Sequence, residues 1–117
     1  RRGMHRFAHN AFNLGTNGGA TCDGALEAAL SAVCAGSGHS WIANGRFKGG
    51  WTTRHYGAPA SGVHAVQMEL AMRGYLAEPG EVDEANWPAP LDPNPAIEPT
   101  LRALIGACLS FATRTPR

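Results

Sequence analysis

Apolar residues recur along two stretches of the chain with the period of a helix. Leu26, Ala29, Leu30, Val33 and Cys34 fall at i, i+3, i+4, i+7 and i+8, one face of an α-helix. Asp23 stands where an N-cap belongs, and Gly36 and Gly38 supply the stop. A second stripe, Leu101, Leu104, Ile105, Cys108, Leu109 and Ala112, predicts a C-terminal helix that begins near Pro99 or slightly earlier. Asn94 is its candidate cap, with Pro95 in the first turn. Strand signals are weaker. The run Ser40, Trp41, Ile42, Ala43 is a short strand ended by the turn dipeptide Asn44-Gly45. Across 63–70, Val63, Ala65 and Gln67 alternate with His64, Val66 and Met68, and both faces are largely apolar, as in a strand buried inside a layered sheet. The order helix, strand, loop, strand, helix predicts an α/β fold. Two strands make no stable sheet, so a further N-terminal part is expected.

Charge sharpens this picture by its distribution rather than its sum. The 117 residues fit one domain, and 44% hydrophobic with 16% charged content supports a core and argues against wholesale disorder. A net charge of +1 provides no field to recruit nucleic acid or an anionic membrane, and no apolar run nears the roughly 18 residues that span a bilayer. Between 37 and 68 no acidic residue occurs, while Arg46, Lys48, Arg54, His39, His55 and His64 all fall there. From 78 to 98 the balance reverses, with Glu78, Glu81, Asp83, Glu84, Asp92 and Glu98 and no Lys or Arg. Five prolines in that stretch, with Pro99 directly after it, forbid a regular helix or central strand through most of it. It reads as a solvated surface loop whose Trp87 packs onto the body. The three cysteines, Cys22, Cys34 and Cys108, are odd in number and form no CxxC pair, which disfavours a disulfide scaffold and a zinc ribbon. Residues 1–6 carry charge with no apolar stretch behind them, so they are not read as a secretory signal, and a reduced cytoplasmic setting is expected. The chain does not begin with Met, so it is either trimmed or a piece of something longer.

Three features could carry chemistry. The segment NGRFKGGWTTRHYG at 44–57 interleaves four glycines with three cations and three aromatics. Glycine lets a backbone approach a ligand closely, and the arginine fork matches a carboxylate or phosphate in two parallel bonds. The segment therefore suits capture of a small dianion, or else is a solvated loop with its cations in water. It lacks the GxxxxGK[ST] pattern of a nucleotide loop. Glu69 is the second feature, a carboxylate set among Val66, Gln67, Met68 and Leu70. Burying it is costly unless it is paired, metal-bound or tuned for proton transfer, and Arg73 four residues on is the alternative partner. Third, His55 and His64 flank this region without HExxH or HxH spacing, so hydrogen bonding or substrate positioning suits them better than metal binding. Cys22 as a nucleophile would need a partner His and a thiolate-favouring setting, while Cys34 and Cys108 lie on the predicted core stripes.

The strings FNLGTN at 12–17, Cys22-Asp23 opening a helix, NGRFKGGWTTRHYG at 44–57 and GVHAVQMELA at 62–71 together resemble the C-terminal part of N-formylglutamate amidohydrolases, also called deformylases. The resemblance runs from about Phe12 to Leu109. It implies a partial mixed sheet flanked by helices, like the C-terminal half of a zinc-exopeptidase-like fold, spanning 12–113. Residues 1–11 would form a poorly ordered lead-in, and Ala11 stands where relatives usually carry an acid. The implied reaction is zinc-assisted hydrolysis of N-formyl-L-glutamate to glutamate and formate, a step of histidine degradation. The zinc ligands would lie in an N-terminal half whose motifs do not occur here, making the chain an incomplete enzyme, inactive alone. Carried onto this sequence, Glu69 matches the general base. A substrate with two carboxylates accounts for Arg54 and then Arg46 as its anchors, with His55, Tyr56 and Asn44 as donors at the rim and Thr16 and Asn17 as a second wall. The alternative is a non-catalytic remnant, or a module that binds a small anion.

Overall fold

The computed structural model describes residues 10–77, 80–81, 83–91 and 96–114. Its centre is a strand that helical and strand periodicity did not bring out. β1 (Phe12–Gly15) is four residues long and buried throughout. It pairs in parallel with β2 (Trp41–Ala43) and antiparallel with β3 (Gln67–Leu70), giving a mixed sheet in the order β2-β1-β3. Two edge strands alone would have no partner, and β1 supplies it.

Residues directly opposite one another in a ladder share a face of the sheet. Phe12 lies opposite Trp41 and Leu70, and Leu14 opposite Ala43 and Met68, so one face is apolar. Phe12 and Leu14 are closed from solvent on it, against Leu26, Leu30 and Cys34 from helix α1 (Gly24–Ala35). The predicted boundaries of this helix hold. The Asp23 carboxylate accepts from the Ala25 amide at 2.8 Å, and Gly36 closes the last turn. At the other end of the chain α3 (Glu98–Arg114) packs on the same core. Ile97 and Leu104 are buried there, with Leu101, Ala107 and Phe111 partly so.

Only part of the predicted stripe on α3 faces inward. Ile105 and Leu109 are 61% and 62% exposed, and Cys108 is exposed as well. Among the described residues, the helix that packs on this stripe is α1. The predicted cap and first-turn proline, Asn94 and Pro95, lie outside the described residues.

The strand expected over 63–70 is shorter than its apolar run. Residues 58–66 form a loop with a one-turn 3₁₀ helix (Pro59–Ser61), held by an Ala58–Val63 bridge and by two bonds between Thr21 and Ala65. The face that would have read as buried is carried instead by the polar pair Gln67 and Glu69. A second correction concerns 44–57, where the C-terminal part is helical: α2 (Trp51–Tyr56) starts directly after Gly50. Within the acidic, proline-rich stretch, β5 (Ala89–Pro90) forms a two-residue ladder with β4 (Leu76–Ala77), which lies just before the stretch. Trp87 does not pack on the body as expected, being 77% exposed. Ala11, placed in the lead-in by sequence, already belongs to the fold: its amide donates to Ser40 Oγ and its carbonyl accepts from Ala71. Residues 1–9 lie outside the described residues.

The two halves of the α3 stripe should separate in a stability measurement. Leu104→Ala is expected to cost about 2–5 kcal/mol in urea unfolding. Ile105→Ala should stay within about 0.5 kcal/mol of the parent. Equal losses would mean that Ile105 is covered in solution.

Candidate functional site

The second face of the sheet is mostly polar, with Ile42 opposite Asn13 as an apolar member. Asn13 lies opposite Glu69, and Gln67 opposite Gly15, so Asn13, Gln67 and Glu69 share that face. Burying Asn13 (7% exposed) demands hydrogen bonds, and the backbone of Phe47 provides them. Asn13 Nδ2 donates to the Phe47 carbonyl at 2.6 Å, and Oδ1 accepts from the Phe47 amide at 3.3 Å. The cationic segment is thereby laid across the polar face. It passes directly over Gly15, where a Cβ would stand 3.0 Å from the Lys48 carbonyl group, so a side chain there would force the loop backbone to shift. The Asn17 amide donates to the same Lys48 carbonyl. Gly49 then turns the chain with a φ of 137°, a conformation that favours glycine.

Asn44 anchors the start of this segment. Its Oδ1 accepts from the Thr16 and Gly18 amides at 3.0 and 3.1 Å, while Nδ2 donates to Thr16 Oγ1 and Glu27 Oε1. Its φ of 52° is left-handed, a conformation that asparagine tolerates better than most residues. At the far end, α2 holds Arg54 so that Nη1 donates to the Gly49 carbonyl at 2.7 Å. One of five guanidinium donors is used in this bond, and the side chain remains exposed. The Gly50 amide donates to Gln67 Oε1 at 2.6 Å, and Gln67 Nε2 donates to Glu69 Oε2 at 3.3 Å. A continuous chain of bonds thus leads from the Arg54 end of the loop to the Glu69 carboxylate.

The remaining candidates divide into exposed and interior groups. Arg46 is exposed, with its guanidinium 5.8 Å from the centre of the Phe47 ring. His55 and Tyr56 are exposed on α2, where His55 stacks on Trp51 with ring centres 4.2 Å apart and Tyr56 meets both rings edge-on. Asn17 is exposed at the following turn. Two candidates are corrected by their surroundings. Asn44 directs both amide hydrogens into the fold, so it is no rim donor. Thr16 is closed from solvent, and its hydroxyl accepts from the Gly19 amide and from Asn44, so it forms no wall for a ligand. His64 serves the scaffold: its Nδ1 accepts from the Asp23 amide at 2.9 Å, and its ring packs edge-on against Phe111. Cys22 is buried, and burial followed by the Glu27 charge pushes its thiol up, the opposite of what a nucleophile needs. Cys34 is likewise raised by burial.

Gln67 and Asn13 were missed by the sequence reading. The available signal was the two-residue period that puts Gln67 beside Glu69, obscured by the apolar residues ahead of it. A groove of about 650 Å³ opens elsewhere, lined by Leu26, Thr53, Tyr56, His64, Leu109 and Phe111 among others. Neither Glu69 nor Arg54 lines it, and its apolar wall would not solvate a dianion. Among the described residues no group of three or more His, Cys, Asp or Glu could hold a metal ion, so the implied zinc does not fit these side chains.

A family model described as N-formylglutamate amidohydrolase matches residues 2–76, which include β1, the cationic segment, α2 and β3. The chain belongs to the N-formylglutamate amidohydrolase family. The chain is 63% identical over 68 residues to an N-formylglutamate deformylase of Pseudomonas aeruginosa and 57% identical over 68 residues to one of Pseudomonas putida. Each of these matches takes in 57% of this chain and 26% of the relative, so the chain spans about a quarter of the length of the curated relatives it matches. The structure of an N-formylglutamate amidohydrolase from Ralstonia eutropha JMP134 superposes with a TM-score of 0.64 at 22% identity. That superposition covers 90% of this chain and 34% of the other, and it supports a shared α/β fold. The match to the family model begins at residue 2, inside the stretch read as a lead-in, and stops short of α3.

If Asn44 is the clamp of this family member's loop, two substitutions should differ. Asn44→Gly removes the side-chain bonds but suits the left-handed backbone, and is expected to cost roughly 1–3 kcal/mol. Asn44→Ala should lose about 1 kcal/mol more through backbone strain. Chemical denaturation measures both, and a Gly variant as stable as the parent would dismiss the clamp.

Proposed function

We propose that this chain supplies the substrate-anchoring loop and the proton-transferring carboxylate of an enzyme that hydrolyses N-formyl-L-glutamate to L-glutamate and formate. The observation that carries this reading is the shared sheet face. Glu69 and the cationic segment lie on it together, joined through Gln67 and Asn13. Membership of the family supports the substrate class, and the shared fold is consistent with it.

In this reading Glu69 takes a proton from the attacking water as its oxygen bonds to the formyl carbon. The C–N bond then breaks, and the proton passes from Glu69 to the departing nitrogen, leaving formate and the free amino acid. Arg54 holds a substrate carboxylate in a two-bond fork, and Arg46 takes the second place. Tyr56 and His55 border the same loop as hydrogen-bond donors. Zinc would supply water activation in the family's chemistry, with ligands drawn from beyond the described residues. The mixed sheet between helices is, in the same reading, a part of a zinc-exopeptidase-like fold.

Two variants test the assignment in the full natural polypeptide. Glu69→Gln keeps the shape but cannot accept the proton, and formate release should fall by about 10²-fold or more. An unchanged rate removes Glu69 from the mechanism. Arg54→Ala should raise KM for N-formylglutamate at least tenfold, and much less for a formyl-amino acid without a side-chain carboxylate. A uniform effect on both substrates would count against anchoring by Arg54. Binding of N-formylglutamate with no formate released would favour the anion-binding module instead.

A further inference from the structure

We infer that Gln67 is a positioning residue, which locks the cationic loop to the sheet with one end of its amide and orients the Glu69 carboxylate with the other. The inference rests on Glu69 being the base proposed above. The backbone amide of Gly50 can only donate, so the atom of Gln67 that faces it at 2.6 Å is the oxygen. The hydroxyl of Thr53, a residue 8% exposed, meets the same oxygen at 3.4 Å. With the oxygen fixed, the NH₂ group must point the other way, and it donates to Glu69 Oε2 at 3.3 Å. Glu69 Oε1 has no partner among the described residues, which leaves it as the atom that meets the water.

The arrangement has a consequence for binding. Loop, amide and carboxylate are in series, so a loop drawn out of place by a poorly fitting anion releases the amide and lets the carboxylate rotate. Gln67 thereby ties proton transfer to correct seating of the loop. Space around the joint is tight: a Cβ on Gly50 would stand 3.2 Å from Gln67 Oε1.

Hydrogen exchange on the ¹⁵N-labelled chain tests the joint without relying on activity. In the parent, the Gly50 amide is expected to exchange at least tenfold more slowly than in Gln67→Leu, with the Leu30 amide equally protected in both as a check on the fold. Gln67→Glu keeps an acceptor for Gly50 and should retain its protection. Gly50 exchange that does not respond to Gln67→Leu overturns the joint. Kinetics on the full natural polypeptide then separate positioning from scaffolding. Gln67→Glu keeps the loop but loses the donor to Glu69, so kcat should fall about tenfold with KM within twofold. Gln67→Leu should lower kcat and raise KM together. Parent-like kcat in Gln67→Glu overturns the orienting role. A parent protein that releases no formate instead overturns the hydrolase reading, while the exchange pattern still decides the joint.

Discussion

The loop that crosses the polar face of the sheet is held by side-chain amides that imitate a neighbouring strand. Asn13 bonds the Phe47 backbone through both its donor and its acceptor, much as a paired residue in a ladder would. Gln67 accepts from the Gly50 amide further along, and Asn44 closes the near end onto Thr16 and Gly18. Apolar contact along this segment is slight, with Gly45 lying against the Ile42 side chain. Its place depends on directional bonds, each of which specifies an atom and an orientation, and that is why a loop rich in glycine has a defined path here.

The same arrangement explains how one small sheet serves two purposes. Alternation along β1 sends Phe12 and Leu14 into the core with α1 and α3, and turns Asn13 and Gly15 toward the loop. Burial of the apolar face provides stability, while the polar face is free to carry charge. Glu69 sits on β3 among residues that the core requires, yet points away from it. A carboxylate in that position need not bear the full cost of desolvation, and it gains an amide donor from Gln67. The cations on the opposing loop are exposed to solvent.

Some of the apolar surface has no cover among the described residues. Ile105 and Leu109 on α3 and Trp51 on α2 stand more than half exposed. The curated relatives are about four times as long as the stretch they share with this chain, of which they match 26% of their own length.

The sequence alone determined the local elements whose signals lie within a few residues of one another. The cap at Asp23, the five-residue stripe of α1, the stop at Gly36 and the start of α3 follow from side-chain and backbone preferences that act over one or two turns. The collinear strings also pointed to the family. Tertiary structure alone decided the rest. A four-residue strand such as β1 carries too little periodicity to be recognised, and becomes the centre of the sheet only because two distant strands pair with it. Which half of the α3 stripe is buried depends on where α1 lies. The removal of Thr16 and Asn44 from the candidate site, and the entry of Gln67 and Asn13, depend on hydrogen bonds between residues up to 34 positions apart, which no local pattern encodes.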